Sequence, residues 1–246
     1  MELKERDLKI LLELEKWGAM GLGQIDGLLF WMGDGWEERR RLFFDRVERR
    51  DYWTAAYKRL GLIEKARLIR REHGLKGPMF YLTARGHGCL KRRRLSRLAG
   101  PQRSLGVRNE WAHFWTVGAG LAMSVLLGWS VKSARELLET GWFTRRRIGL
   151  DRPTLPGLLV DTGGGAAVFD LSRRKLRAWD LQLPIWRMFQ ARLPGVRILH
   201  FGHHDCFPGM LTRFARESGL SLIGATTFRE FQTHLDRCRF VSSGPE

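Results

Sequence analysis

The chain has 246 residues, and its 43 Lys and Arg against 26 Asp and Glu give a formal net charge of +17 and an isoelectric point near 10.9. A charge of that sign attracts polyanions, chiefly nucleic acid or an acidic membrane surface. With 43% hydrophobic residues, 10 Trp and 14 Phe, the composition excludes a chain that is disordered throughout and is sufficient for two folded domains.

The cysteines and the N-terminus bear on compartment and cofactor use. Cys89, Cys206 and Cys238 are odd in number and far apart, so no spacing predicts a disulfide framework or a zinc knuckle. The charged N-terminus does not resemble a signal peptide, and the longest apolar run, Val117 to Leu127, is too short to span a bilayer. We therefore predict a cytoplasmic protein with no membrane partner, no metal and no cofactor.

The first elements along the chain are helical. Apolar residues at helical spacing predict a helix that begins near Leu8 and ends at Trp17–Gly18, and Leu22–Trp31 is typical of a second helix. A strongly basic helical segment follows; it is predicted to close at Gly61, where a strand begins. A second strand, Met79–Thr83, lies beyond a loop that contains Gly and Lys. Three helices followed by two short strands are the order of a winged helix-turn-helix, whose basic third helix enters the major groove of DNA.

The basic segment between Trp36 and Leu60 is predicted to divide in two. Asp51 is a suitable N-cap, so a leading helix would precede a recognition helix near Asp51–Arg59. Arginine pairs with guanine edges, and aromatic side chains reach phosphates or thymine methyl groups. For Trp53 and Tyr57 the alternative is a place in the core. The residues of this segment predicted to contact DNA are Arg46, Arg49, Arg50, Tyr52, Trp53, Tyr57 and Lys58.

The run Ala66–Gly77 is predicted to form the hairpin wing. Wings contact the DNA backbone or the minor groove, so they add affinity more than sequence preference. The wing residues predicted to contact DNA are Arg67, Arg70, Arg71 and Lys76.

A domain boundary is predicted after the next helix, which starts beyond Thr83 and ends in a block of arginines at Arg94. That block and the Gly100–Pro101 break are typical of a linker. The predicted division is a winged-helix domain at 1–98, a linker at 99–106, a second domain at 107–240 and a disordered tail at 241–246.

The second half alternates helix and strand. A long, largely apolar helix is predicted at Asn109–Leu127, a strand over Trp129–Leu138, and a hairpin of buried strands around Gly163–Gly165. This alternation predicts a three-layer α/β domain, and hence an α+β chain overall. The remaining predicted elements are a Trp-rich helix around 179–189, a strand at 196–201, a helix at 208–218, a strand at 220–225 and a final helix from Thr227.

Several short motifs give the chain a resemblance to a known family. They are Gln24-Ile25, Leu60-Gly-Leu-Ile63 and Tyr81-Leu-Thr-Ala-Arg-Gly86 in the first half, and His113, Arg152-Pro153 and Val168–Lys175 in the second. On these motifs the chain resembles the replication-relaxation family, winged-helix proteins of plasmids and integrative elements that include relaxosome accessory proteins. The resemblance covers most of the chain.

The C-terminal half of that family is similar to the PD-(D/E)xK nuclease, or restriction-endonuclease-like, fold. There an acid on one strand and an acid-x-Lys pair on the next hold a divalent metal and position the attacking water. Here the first acid position falls on Gly157, and two residues after the second acid, Asp170, stands Ser172. Asp161 and Lys175 substitute only if the strands pair in another register. The resemblance therefore implies a nuclease-shaped domain without the activity, with Asp161, Asp170 and Lys175 as vestigial candidates.

Residue types that bind metals also cluster from His200 to Cys206, where His203 and Cys206 have an H-x-x-C spacing. Adjacent ligands in one loop cannot all face one ion, and no second pair stands at zinc-site spacing. A polar strand-to-helix turn, with Asp205 near the helix N-terminus, explains the same residues, so no metal site is predicted.

The sequence predicts a non-enzymatic, sequence-specific double-stranded-DNA-binding protein of a plasmid or mobile element, an accessory factor in replication or in DNA relaxation and transfer. Its second domain is predicted to form a homodimer or to recruit a relaxase or replication protein, since readers of this kind often use paired half-sites. Three alternatives stay open: a transcriptional regulator with the same reader domain, a metal-dependent DNA endonuclease, and a protein-interaction module that binds DNA weakly.

Overall fold

The structure is a computed structural model that describes residues 2–29, 36–48, 55–74, 77–101, 107–139, 158–161, 166–171, 177–193, 196–202, 213–220 and 222–227. Helices and strands are both present, so the chain is mixed α and β as predicted. The chain divides into two compact units, Met1–Ala122 and Met123–Glu246. This division falls inside a long helix, C-terminal to the linker predicted at 99–106.

The first unit opens with a helix whose ends are set by the local sequence. Helix α1 (Glu5–Trp17) buries Ile10, Leu14 and Trp17, which recur at the helical period and confirm the predicted first helix. The helix ends at Gly18, whose φ of 85° suits glycine and whose amide donates to the Leu14 carbonyl at 2.9 Å.

The remaining elements of the first unit follow the predicted order, with an additional strand after α1. The basic segment divides into two helices, as predicted, and the long apolar helix after the predicted linker is confirmed. The elements are β1 (Ala19–Gly21), α2 (Leu22–Leu29), α3 (Trp36–Glu48), α4 (Ala55–Lys65), β2 (Ile69–Gly74), β3 (Gly77–Leu82), α5 (Ala84–Arg92) and α6 (Val107–Leu126).

β3 is the central strand of a three-stranded antiparallel sheet with the order β1-β3-β2. Tyr81 of β3 stands opposite Ala19 of β1 on one side and opposite Arg70 of β2 on the other. Five successive residues of β3, from Pro78 to Leu82, are buried, so both faces of this strand are covered. β2 lies at the edge of the sheet, and after Ile69 its residues alternate between half-buried and exposed.

Helix α4 runs past the point at which the sequence predicts its end. The prediction that the helix ends at Gly61 and a strand begins there is wrong. α4 continues for another turn, and β2 begins only after it. The buried stripe of Ala56, Leu60 and Ile63 continues across the glycine, and this packing outweighs the roughly 1 kcal/mol that an interior glycine costs. The chain turns instead at Arg67, whose φ of 59° is the left-handed conformation common after a helix end.

The second unit is built on a mixed five-stranded sheet. Its described elements are β4 (Ser130–Ser133), α7 (Ala134–Glu139), β5 (Leu158–Asp161), β6 (Ala166–Leu171), α8 (Arg177–Arg192), β7 (Arg197–Gly202) and β8 (Leu222–Thr227). The sheet order is β4-β5-β6-β7-β8; the first two pairings are antiparallel and the last two parallel. α8 connects the parallel strands β6 and β7, as such a crossover requires.

In the second unit one predicted pair of strands is confirmed and another predicted strand is too long. The predicted hairpin strands are confirmed as β5 and β6, but the strand predicted over Trp129–Leu138 is wrong in its second half, where α7 begins after Ser133. The reason is a capping box: the Ser133 amide donates to the Glu136 carboxylate at 2.8 Å, and the Glu136 amide donates to the Ser133 hydroxyl at 3.2 Å. The final helix predicted from Thr227 lies outside the described residues, apart from Thr227 itself, which ends β8.

Candidate nucleic-acid interface

Helix α4 presents a basic stripe to solvent. Lys58, Leu62 and Lys65 stand at positions i, i+4 and i+7, and all three are exposed. They lie on the side of α4 opposite the buried residues of that helix. Lys58 was among the predicted contacts, whereas Lys65 was missed because the helix was predicted to close before it. We call Lys58, Leu62 and Lys65 the α4 stripe.

Tyr57 joins α4 to β2. Its hydroxyl accepts a hydrogen bond from Nη1 of Arg71 at 2.6 Å, and the Arg71 guanidinium carbon lies 5.8 Å from its ring centroid. Nε of Arg71 lies 3.7 Å from a carboxylate oxygen of Glu64. Tyr57 is half-buried with its hydroxyl at the surface. It is therefore not a core residue, which was the alternative prediction for it.

Arg70 is held by the neighbouring strand. Its guanidinium carbon lies 4.4 Å from the ring centroid of Tyr81, and the same group pairs with the carboxylate of Glu72. Arg67 is exposed in the turn between α4 and β2. Three of the four predicted wing residues therefore lie on β2 or on the turn that leads into it. The fourth, Lys76, lies outside the described residues.

Arg46 faces another helix. Its Nη1 lies 3.2 Å from Oδ2 of Asp26, a buried carboxylate on α2, so Arg46 supplies the charge that this carboxylate needs and joins α3 to α2. The other predicted contacts of the basic segment lie outside the described residues; they are Arg49, Arg50, Tyr52 and Trp53.

A groove of about 740 Å³ opens between the first turn of α1, the end of α2 and α4. Lys4, the N-cap residue of α1, and Lys9 of α1 line it, together with Lys58 and Leu62 of the α4 stripe. All four are exposed. Sequence reasoning missed the α1 lysines, because nothing in the local pattern indicates that α1 and α4 are neighbours.

Asp7 and Arg59 also line this groove and join α1 to α4. Nε of Arg59 donates to Oδ1 of Asp7 at 2.6 Å, and Nη2 donates to Oδ2. Burial of the Asp7 carboxyl would raise its pKa, but the hydrogen bond from Arg59, that from the Lys4 backbone amide and both positive charges lower the pKa below its ordinary value. The hydrogen bond to Asp7 in turn raises the pKa of Arg59, which burial alone would lower.

A serine, a histidine and a glutamate meet between α1 and α5. The Ser96 hydroxyl donates to Glu15 at 2.6 Å and lies 3.1 Å from Nε2 of His87, which is also 3.3 Å from Glu15 and 2.9 Å from the Leu98 carbonyl. A nucleophilic triad needs the carboxylate at one ring nitrogen and the serine at the other. Here Ser96 and Glu15 both approach the same ring nitrogen, Nε2, so the cluster joins the segment after α5 to α1.

The strand register of the second unit separates the two vestigial acids. Asp161 stands opposite Ala166, whereas Asp170 lies four residues further along β6, about 13 Å away along the strand. Acids that share one ion through metal–oxygen bonds of about 2.0–2.6 Å are expected at neighbouring register positions. The observed register therefore gives no support to Asp161 as a substitute for the missing first acid. Lys175, Gly157 and Ser172 lie outside the described residues.

The predicted absence of a histidine–cysteine metal site concerns residues that are mostly outside the described part of the chain. His200 stands in β7 opposite Asp170 of β6, and residues 203–206 are not described. Among the residues that are described, no group of three His, Cys, Asp or Glu side chains is placed to hold a metal ion.

These features define a two-unit α+β protein whose first unit carries exposed lysines and arginines on α4 and on the edge strand beside it. Comparisons of the chain with protein-family models, with curated proteins and with solved structures found no match. None of the helices described here is long and apolar enough to cross a membrane.

Proposed function

We propose that the first unit is a winged helix that binds double-stranded DNA, with α4 as the recognition helix in the major groove. The order of elements is the observation that carries this proposal. α1, β1, α2, α4, β2 and β3 follow one another as in a winged helix, and the β1-β3-β2 sheet fixes the β2–β3 hairpin beside α4. α3 is an additional helix between the second and third helices of that plan.

The exposed face of α4 supports the proposal. Lys58 and Lys65 place two ammonium groups on the side of the helix that faces away from the core. An ammonium group binds phosphate, or O6 and N7 of guanine, when the helix enters the major groove. With a net charge of +17, the chain attracts the DNA over a longer range before these contacts form.

The β2 arginines supply the second set of contacts. Tyr57 and Tyr81 hold the guanidinium groups of Arg71 and Arg70, so less side-chain entropy is lost when these groups bind phosphate. In the free protein Glu64 and Glu72 neutralise the same groups. Exposed pairs of this kind contribute only about 0–1 kcal/mol, so DNA phosphates replace the carboxylates at small cost.

We extend the proposal to the biological setting that the family resemblance implies. The protein acts as an accessory factor for replication or for DNA relaxation and transfer of a mobile element. Its second unit forms a homodimer or recruits a relaxase or replication protein. The separation of Asp161 from Asp170 favours a binding role over cleavage for this unit. A monomeric mass by light scattering, both free and on DNA, would contradict the dimer.

The test is selection of duplexes from a random pool, followed by fluorescence anisotropy at two salt concentrations. We expect the selection to enrich a sequence motif that the protein still binds at the higher salt concentration. We expect Lys58→Ala to bind this motif more weakly. Lys132→Ala, which removes an exposed lysine of β4, is the charge-matched control and should bind as the wild type does. Weak binding with no motif and a steep salt dependence in all three proteins would show that net charge alone drives association.

A further inference from the structure

The centre of the α4 stripe is apolar. Leu62 is 47% exposed, and only one other large hydrophobic side chain in the described part of the chain, Leu95 at 36%, is exposed to a similar degree. Leu62 lies outside the buried stripe of α4, so it contributes little to the core. Lys58 stands one turn before it and Lys65 one turn after it.

The groove beside Leu62 combines the same two chemistries. Leu29 extends the apolar surface from the end of α2, and the cations Lys4, Arg6, Lys9 and Lys58 outnumber the one exposed carboxylate of the lining, Glu5. Three ammonium groups around an apolar strip suit an occupant that is polyanionic at its edges and apolar at one point. Duplex DNA has this character in the major groove, where phosphates flank the base edges and thymine presents a methyl group.

We propose that Leu62 is a specificity-determining residue that contacts the 5-methyl group of thymine, while Lys4 and Lys9 beside it hold flanking phosphates. This inference rests on the proposed function, since it requires α4 to lie in the major groove. It adds a chemical preference: the target carries thymine at the position that faces Leu62. Cytosine lacks the methyl group, so an unmethylated C·G pair at that position forfeits the contact.

The test replaces thymine by deoxyuridine, which removes the methyl group and keeps the base-pairing edge. Duplexes selected from a random pool are prepared with thymine or with deoxyuridine at each position in turn, and binding is measured by anisotropy. Burial of one methyl group is worth about 0.8 kcal/mol, so the wild type should bind about fourfold more weakly when the contacted thymine is replaced.

Three variants assign that loss to one side chain. Leu62→Ala should bind the thymine and deoxyuridine duplexes equally, and Leu62→Met, which keeps an apolar side chain, should retain the preference. Leu95→Ala, the matched exposed leucine, should behave as the wild type does. Circular dichroism establishes that each variant is folded.

The outcomes separate the inference from the proposed function. If the wild type binds a selected duplex but does not distinguish thymine from deoxyuridine at any position, or if Leu62→Ala keeps the distinction, the inference is overturned and the proposed function stands. If the wild type binds no duplex, both are overturned.

Discussion

The guanidinium of Arg59 and the carboxylate of Asp7 form a two-point pair, and the carboxylate is fully buried. The pair joins the first turn of α1 to the middle of α4. Because α4 carries the proposed DNA contacts, the orientation of its exposed face depends on a carboxylate that lies outside that face. We therefore expect stability and the proposed DNA binding to be linked through this pair.

Replacement of Asp7 by Asn should lower the free energy of unfolding by about 2 kcal/mol near neutral pH, because Arg59 loses its charged partner. The folded-state pKa of Asp7 is lowered, so the stabilisation is present above the unfolded-state value of about 3.9 and is lost as the pH falls through the lower folded-state pKa. Urea unfolding at neutral pH and below about pH 3 measures both effects. The wild-type and Asp7→Asn stabilities should converge in acid, whereas a constant difference would contradict this account.

Glu5→Gln is the control for that experiment. Glu5 is exposed in the same first turn of α1, and the substitution makes the same change of charge. It should lower the free energy of unfolding at neutral pH by less than about 1 kcal/mol, the range expected for an exposed carboxylate in the first turn of a helix.

Replacement of glycine by alanine should have opposite effects on stability at two positions. A Cβ at Gly86 would lie 2.1 Å from the Leu68 carbonyl oxygen, so Gly86→Ala should destabilise the first unit by about 3 kcal/mol or more. A Cβ at Gly61 meets nothing within 4 Å, and Gly61→Ala should stabilise the protein by about 0.5–1 kcal/mol. Thermal unfolding of both variants measures the difference. A gain of stability for Gly86→Ala would show that the approach of α5 to the Leu68 carbonyl is not as close as described.

Gly61 also shows how far the sequence determines the fold. The periodicity of α1 predicts that helix correctly, because one buried face dictates the pattern. The apolar run of α6 also predicts a helix correctly, and this helix is buried on every side from Val117 to Met123. The length of α4 could not be predicted, since Gly61 is a helix breaker by local propensity and only the packing of Leu60 and Ile63 carries the helix past it. The capping box of Ser133 and Glu136 was visible in the sequence, and it was overlooked in favour of a strand.

Lys58 and Arg67 should differ in what they contribute to DNA binding. Lys58→Ala should weaken binding to the selected duplex by about 1–3 kcal/mol and reduce the preference for it, if Lys58 contacts a base. Arg67→Ala should weaken binding to all sequences alike and reduce the salt slope by about 1, since Arg67 lies in the turn before the hairpin. Anisotropy on selected and scrambled duplexes distinguishes the two classes. Identical behaviour would mean that α4 is not the recognition helix.

Removal of one carboxylate should strengthen DNA binding. Glu64 lies 3.7 Å from Arg71, and Glu64→Gln releases that guanidinium for phosphate. Because exposed pairs contribute about 0.2–1 kcal/mol, the affinity should rise by up to about fivefold. Glu217→Gln makes the same change of net charge at an exposed position of the second unit and should have a smaller effect. Equal gains in the two variants would show that only the total charge matters.

Gln24 should be intolerant of an apolar replacement. Its Oε1 accepts from the Gly21 amide at 2.9 Å and its Nε2 donates to the Phe114 carbonyl at 2.6 Å, both in the interior. Gln24→Leu leaves these backbone groups unpaired and should cost about 3 kcal/mol of stability. Gln190→Leu, at a half-buried position of α8, should change stability by less than about 0.5 kcal/mol. Urea unfolding compares the two, and a small effect of Gln24→Leu would mean that α6 is not fastened by this side chain.

The candidate site was predictable in part. The sequence shows that the α4 and β2 segments are basic, and this predicts Lys58, Arg70 and Arg71 as DNA contacts. The same reasoning predicts Arg46 as a DNA contact. In the structure Arg46 instead pairs with Asp26 on α2, and no local pattern in the sequence indicates that pairing. The α1 lysines and Arg59 were missed for the same reason. Charge density identifies a basic segment, and the tertiary partners decide which of its cations stay exposed to solvent.

The β1–β3 pairing has a consequence for the order in which the polypeptide assembles. Ala19 has its partner in Tyr81, while α2, α3, α4 and β2 all lie between them in the chain. During translation β1 therefore emerges as an unpaired strand, and the sheet closes only after the last residues of β3 have left the ribosome. Such non-local contacts form late, because the entropy of closing a long loop is lost before the contacts can stabilise the chain. We expect the nascent chain to gain protease resistance abruptly once β3 has emerged, rather than gradually as each helix appears.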